Sequence, residues 1–153
     1  MATWRPGRHK DPVTAASFYL EIQGHCSGTF KECSGLGSES EIITHVTADK
    51  DGKVVIQKIP GNLKWDNIVM KRGVTDDMGI WEWRKMVEDG KVVDARASGT
   101  ITMYNQNNEA VAEWTFDNAW PVKVSGPQLN ASSNDIAVEE LTIAHEGMRR
   151  VKV

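Results

Sequence analysis

Two β-branched runs, Glu41 to Val46 and Lys53 to Ile59, flank the segment Ala48-Asp49-Lys50-Asp51-Gly52. Asp-Gly supplies the positive backbone angles of a tight hairpin turn, so the pattern predicts a long hairpin over Ser40 to Ile59. Its apolar residues Ile42, Ile43, Val46, Val54, Val55, Ile56 and Ile59 fall on both alternating phases of the ribbon. Side chains alternate across a strand, so a single core can cover only one of these two faces. The other face needs either a second layer of the same chain or the surface of a neighbouring subunit. The residues themselves leave both covers open.

The rest of the chain reads as strands around one good helix. Phe18, Leu20 and Ile22 alternate with Tyr19, Glu21 and Gln23, and Thr29 to Glu32 is placed to return beside them. The helix is predicted between Thr75, a capping residue, and Asp89, with Asp76 and Asp77 in its first turn and Gly90 as its stop. Ile80, Trp83, Met86 and Val87 form its apolar stripe, which should pack on a sheet. Gly79 within the first turns indicates either close backbone packing or a tolerated glycine. A further strand runs from Ala95 to Met103, turns through Asn105-Gln106-Asn107-Asn108, and returns through Ala112, Trp114 and Phe116. Trp120-Pro121 should end or bend that return strand, because proline lacks an amide for the ladder. Ile136 and Val138 lie on one phase and Leu141 and Ile143 on the other, which predicts a bulge near Glu139-Glu140.

Strands before and after a single helix predict a mainly β, α+β fold: an antiparallel β-sandwich or barrel with one flanking α-helix. At 153 residues and 17.0 kDa, one domain is expected, with an N-terminal arm over about 1–12 and a protruding hairpin over about 40–59. Hydrophobic residues at 40% and charged residues at 25% match a water-soluble globular mixture rather than a disordered or fibrous chain. No apolar run approaches the ~20 residues of a membrane span, and Met1 to Pro12 lacks the apolar core of a secretory signal, so synthesis in the cytoplasm is expected. A formal net charge of −3 offers nucleic acid no general attraction.

Chemistry motifs do not assemble. His145-Glu146 begins like a zinc-protease helix motif, but Arg149 stands where the second histidine belongs. Gly35-Leu36-Gly37 is followed by no Gly-Lys-Ser/Thr and reads as a turn into the hairpin. Asp76 and Asp77 are accounted for by helix capping, and no nucleophile elbow is present. Cys26 and Cys33 match neither zinc nor redox spacing, so reduced thiols are expected; a tight hairpin over Gln23 to Cys33 would instead place them opposite each other, within reach of one bridge. His25 and His45 show no ligand spacing with them, so no metal and no cofactor are expected, and no catalytic residue is assigned.

Six tryptophans remain to be placed. Trp65, Trp81, Trp83, Trp114 and Trp120 sit in periodic elements, where a large ring anchors a core or an interface and its N–H finds an acceptor. Trp4 lies among Arg5, Arg8, His9 and Lys10, a terminus suited to contact another subunit or, alternatively, a nucleic-acid strand or anionic surface. The tail Arg149-Arg150-Val151-Lys152 is either solvated or bridges subunits.

Several of these segments carry a resemblance. Ile59-Pro60-Gly61-Asn62-Leu63-Lys64-Trp65, Ile68 to Thr75, Trp81-Glu82-Trp83, Trp120-Pro121-Val122-Lys123, Ser125-Gly126-Pro127 and Ile136 to Gly147 together resemble the inner tail tube proteins of contractile phages and contractile injection systems. The resemblance implies a β-sandwich or barrel with one flanking helix, a structural rather than enzymatic role, and homohexameric rings stacked into a hollow conduit. It implies as partners a surrounding sheath protein, baseplate or tube-initiator and terminator proteins, and a lumen cargo of protein effector or DNA. It places the molecule in a phage tail or injection particle that is cytoplasmic, membrane-anchored or released. The expected subunit-interface residues are Trp4, Arg5, Ile42, Ile43, Val46, Val54, Val55, Ile56, Ile59, Arg149 and Arg150. The alternative reading is a ring-forming secreted carrier similar to the haemolysin-coregulated proteins of type VI secretion.

Overall fold

The alternation at Phe18 forms β1 (Ser17–Ile22), and a turn through Gly24 at φ +76° returns the chain as β2 (Cys26–Phe30). The computed structural model describes residues 14–127 and 136–153. After one residue β2 continues as β3 (Glu32–Ser34); β4 (Ser38–Ala48), β5 (Val54–Trp65) and β6 (Ile68–Gly73) follow. Then come α1 (Gly79–Glu88), a one-turn α2 (Val92–Ala95), β7 (Ala97–Tyr104), β8 (Ala110–Ser125), β9 (Val138–Ala144) and β10 (Gly147–Val151).

Every pairing is antiparallel, in the order β2-β1-β7-β8-β9-β6-β3. Because β2 and β3 are successive pieces of one bent strand, and the Lys31 N–H between them donates to the Lys71 carbonyl at 2.9 Å, this path closes on itself. The predicted sandwich or barrel is therefore a barrel, and closure removes the open edges that a flat sheet would expose. The 16-residue β8 joins its halves: Ala110–Ala119 pairs with β7, and Trp120–Ser125 pairs with β9. β10 prolongs β9 along β8, from Gly147 opposite Asp117 to Val151 opposite Glu113. Leu20, Phe30, Ile68, Met70, Ile101, Phe116, Leu141 and Ile143 point inward and are completely buried.

The helix begins later than its sequence signals suggest. Thr75 Oγ1 accepts from the Asp77 amide and Asp77 Oδ1 accepts from the Gly79 amide, so both capping residues order the turn before the helix. The first turn is glycine because an added Cβ at Gly79 would lie 2.9 Å from Cys26 Cβ on β2, which selects close packing over mere tolerance. Ile80 and Trp83 are buried as predicted, and the Trp83 indole donates to the Ala95 carbonyl at 2.8 Å. That bond belongs to α2, which occupies the start of the segment read as strand; the strand proper begins at Ala97.

At the other end, the Gly90 N–H bonds the Val87 carbonyl and the Lys91 N–H bonds the Met86 carbonyl, a left-handed cap with Gly90 at φ +82°. A Cβ there would meet nothing within 4 Å, so the cost of adding one is purely conformational. Gly90→Ala is expected to lower unfolding free energy by ~1–2 kcal/mol and Gly90→Asn by less, read from urea midpoints at unchanged slope.

Two other expectations meet different outcomes. Pro121 does not end β8 but lies where it becomes irregular, as the second of the two expected outcomes has it: β8 changes partner from β7 to β9 there, its register slips between Pro121 and Lys123, and the Pro121 carbonyl accepts from Arg84 Nη1 at 2.9 Å on the side where pairing with β7 has ended at Ala119. A strand residue's amide and carbonyl point the same way, so the missing amide falls where no ladder bond is needed. The bulge expected at Glu139-Glu140 is not there. β9 pairs with β6 without interruption from Ile143 to Val138, and the register slips instead on β8, between Pro121 and Lys123. Glu139 itself takes the inward phase with Leu141 and Ile143, while Ile136 and Val138 face solvent.

Candidate assembly surface

β4 and β5 form a two-stranded sheet of their own and, among the described residues, pair with no other strand. The hairpin is longer at both ends than its β-branched runs, beginning at Ser38 opposite Trp65, because β-pairing continues through the polar residues at its root. Its tip is the predicted turn. Asp49 Oδ1 accepts from the Asp51 and Lys53 amides at 2.9 and 2.8 Å, and Gly52 takes φ +75°. Near the root, Gly61 and Asn62 sit opposite the single residue Glu41, and this irregularity bends the ribbon.

Cross-strand partners share a face, so the register sorts the apolar residues into two sets. Ile42 with Pro60, Val46 with Ile56, and Ala48 with Val54 lie on one face, interrupted by Thr44 with Lys58. Ile43 with Ile59 and Val55 with Thr47 lie on the other, beside His45 and Gln57. Both faces are open: Ile42, Val46, Val54 and Ile56 are 59–70% exposed, and Ile43, Val55 and Ile59 are 37–53% exposed. With Leu63 also exposed, eight large side chains at very roughly 100 Å² each exceed the ~300–600 Å² patch that a monomer normally shows. A lone two-stranded hairpin is marginal in water, and among the described residues no third strand and no helix lies beneath this one.

The other expected interface residues are dispersed. Arg149 and Arg150 lie on β10, exposed, rather than on an irregular tail. Arg149 Nη1 is 3.4 Å from Asp117 Oδ2, and the Arg150 guanidinium stands 6.0 Å from the centre of the Trp114 ring. Surface pairs of this kind contribute little to folding, and neither consumes the side chain's full donor capacity. Trp4 and Arg5 lie outside the described residues.

Candidates for chemistry do not converge. Cys26 opens β2 and Cys33 lies in β3; both are free. The turn falls at Gln23–His25, so the two cysteines follow one another along a single bent strand, seven steps or ~20 Å apart, far beyond disulfide reach. Burial pushes both thiols up to about 12, with the Asp77 carboxylate adding to the shift at Cys26 and Arg72 opposing it. Neither is a nucleophile near neutral pH. Among the described residues no group of His, Cys, Asp and Glu is arranged to hold a metal ion.

Two buried polar sites escaped the sequence reading. Arg72 Nε donates to Glu139 Oε2 at 3.1 Å between facing positions of β6 and β9, with both side chains about 5% exposed or less. The Trp81 indole donates to Glu139 Oε1 at 3.1 Å, Arg72 Nη2 donates to the Asp77 carbonyl at 3.2 Å, and the guanidinium lies over the Phe30 ring. This network ties the start of α1 to the barrel wall.

The second site is His145, between β9 and β10 at the root of the hairpin. Its ring packs against Trp65 and Phe116 with centroids 5.7 and 5.9 Å away, and among the described residues neither shielded ring nitrogen has a hydrogen-bond partner in good geometry, although backbone groups of Asp66 and Gly147 lie near them. Desolvation lowers its pKa; backbone groups of Asp66 and Gly147 oppose the shift, and no charged side chain contributes. The unfolded chain therefore binds this proton more readily than the folded one, and stability falls as pH drops below the unfolded value near 6.5. The thermal midpoint is expected to decline between pH 7.5 and 5 more steeply in the wild type than in His145→Phe. Parallel profiles would remove this role.

The family model described as T4-like virus tail tube protein gp19 matches residues 14–149, almost the whole chain. The chain belongs to this tail tube family. Tail tube proteins are structural, which accords with a molecule whose most unusual surface is an apolar arm rather than a cleft with reactive groups. Solved structures of the same fold include a chain of the PVC sheath–tube complex of an extracellular contractile injection system in its extended state, 24% identical over 93% of each chain with a TM-score of 0.71. A chain of the six-fold symmetrised anti-feeding prophage baseplate is 19% identical over 94% of this tube protein and 97% of its own length, with a TM-score of 0.74. Hcp1 from Flavobacterium johnsoniae is more distant: 17% identity, 88% and 94% coverage, and a TM-score of 0.52. No curated protein sequence matches the chain.

Proposed function

We propose that six copies of this tube protein close into a ring and that rings stack into the rigid inner conduit of a contractile tail or injection particle. A sheath surrounds this conduit and drives it through a target envelope on contraction; baseplate and terminator proteins meet its two ends, and protein effector or DNA travels inside. Within the chain, residues 1–153 act as one tail-tube domain, with an arm at about 1–12 and the hairpin as its projecting element. The interface is carried by Ile42, Ile43, Val46, Val54, Val55, Ile56 and Ile59, with Trp4 and Arg5 from the arm and Arg149 and Arg150 from β10.

The observation that carries this reading is the hairpin that, among the described residues, pairs only with itself and is apolar on both faces. Burying such a ribbon between subunits removes its apolar surface from water at ~25 cal/mol per Å² and fixes neighbouring barrels rigidly. Stiffness is the mechanical need of a conduit that must not buckle when pushed. The fold similarity to PVC and anti-feeding prophage chains supports this reading over a singly released carrier ring, since the likeness to Hcp1 is looser.

Electron microscopy of the purified protein over a concentration series tests it. Hollow tubes built of six-membered rings are expected as concentration rises. Isolated rings that never stack would favour the carrier reading, and monomers at every concentration would count against both.

A further inference from the structure

The hairpin needs a place to go, and the described residues offer one at the far end of the same strand pair. β6 starts at Ile68, three residues after the hairpin ends at Trp65, and runs beside β9 to Gly73 opposite Val138. Six strand residues separate the hairpin root from the far end of β6 by ~20 Å. There the Val74 amide bonds the Ala137 carbonyl at 3.0 Å and holds together Val74, Ile136 and Val138, which are 50%, 74% and 41% exposed. Ile136 and Val138 line a cleft of about 400 Å³ together with Gly73 and the charged residues Lys31, Glu32, Lys71 and Arg72, and Val74 follows Gly73 beside it. A Cβ on Gly73 would meet Ile136 at 3.7 Å, an ordinary contact, so Ile136 stands directly over this part of the backbone.

We infer that the cleft at Gly73, Val74, Ile136 and Val138 is the socket that receives the hairpin of a second copy of this chain in the adjoining ring. Both patches expose apolar side chains beside charge, Lys58 on the hairpin and Glu32 in the cleft, they differ from each other, and they sit at opposite ends of β6–β9. A contact between two different patches is head-to-tail: each copy offers a hairpin at one end and a socket at the other, so the contact repeats along an axis without closing. The face that enters is the one bearing Ile42, Val46, Val54 and Ile56, whose only polar interruption is the Thr44–Lys58 pair. The face with Ile43, Val55 and Ile59 then packs against the neighbouring subunit of that same adjoining ring, so both faces of the hairpin are covered in the stack. This inference rests on the tube reading above.

The test places the photoreactive residue p-benzoylphenylalanine at position 136 of the full chain, and in a second variant at position 74, in case one substitution interferes with assembly. Isotopically heavy and light chains are mixed, assembled, irradiated and mapped by mass spectrometry. Cross-links from these positions to residues 41–60 of a chain of the other isotope are expected, and Ile136→Asp should raise the concentration needed for stacking at least tenfold. Tubes that form normally while the probe at both positions captures some other segment, or only its own chain, would overturn the socket and leave the tube reading standing. Failure of the wild type to form tubes at any concentration would overturn both.

Discussion

Ile43→Asp and Val55→Asp, singly or together, are expected to abolish stacking at concentrations where the wild type forms tubes, while far-UV circular dichroism and thermal midpoint stay close to wild type. The two residues occupy the same face of the hairpin and are 53% and 37% exposed in the free subunit. In the monomer each carboxylate reaches water, so the change falls within the ~0.5 kcal/mol usual for surface substitutions. At a subunit contact each charge must be desolvated without a partner, which costs several kcal/mol. In the proposed six-membered ring the penalty recurs at every hairpin around the contact, so stacking should fail outright rather than weaken. Lys50→Asp at the hairpin tip, outside both apolar faces, serves as the control and should assemble normally. Light scattering and microscopy give the readout, and normal tubes from both variants would remove the hairpin from the stacking contact.

The hairpin was readable because three independent signals agreed there: β-branched runs, an Asp-Gly turn, and apolar residues on both phases. What covers its faces was not, since a second layer of the same chain satisfies the same pattern until the sheet order is known. The helix end was similarly plain, because Gly90 and the Ile80–Trp83–Val87 stripe concur, whereas its start was misplaced by a surplus of capping residues. Thr75 and Asp77 each cap an amide, but in successive turns, and only the contact of Gly79 with Cys26 settles where the helix begins. The supposed bulge on β9 had a simple cause. An apolar count leaves Glu139 out of the inward phase, so Ile136 and Val138 appeared to switch faces. A better signal was present: Arg72 follows Ile68 and Met70 on one phase just as Glu139 precedes Leu141 and Ile143, and opposite charges on two inward phases mark a buried pair.

That pair should give the largest stability effect in the molecule. Glu139→Ala leaves the Arg72 guanidinium inside the barrel with only the half-exposed Asp77 carboxylate, 3.9 Å from Nη1, deprives the Trp81 indole of its acceptor, and is expected to cost ~3–5 kcal/mol in urea unfolding. Glu139→Gln keeps the shape and an acceptor oxygen, and should fall between wild type and alanine. If the loss comes from a stranded charge, then Arg72→Met combined with Glu139→Leu should recover most of it, because replacing both ions with apolar residues removes two desolvation costs together. An unrecovered double variant would point instead to the hydrogen bonds that reach α1 through Trp81 and the Asp77 carbonyl. Gly28 offers an independent probe from the other side. Its added Cβ would lie 2.7 Å from Arg72 Nη1, so Gly28→Ala must shift the guanidinium whose Nε bonds Glu139, whereas the same change in the Arg72→Met background meets no guanidinium. A strong coupling between those two substitutions would locate the effect in the ion pair itself. Since Arg72 and Glu139 immediately precede Gly73 and follow Val138, weakening them should also loosen the end of β6–β9 and reduce tube formation at temperatures well below unfolding.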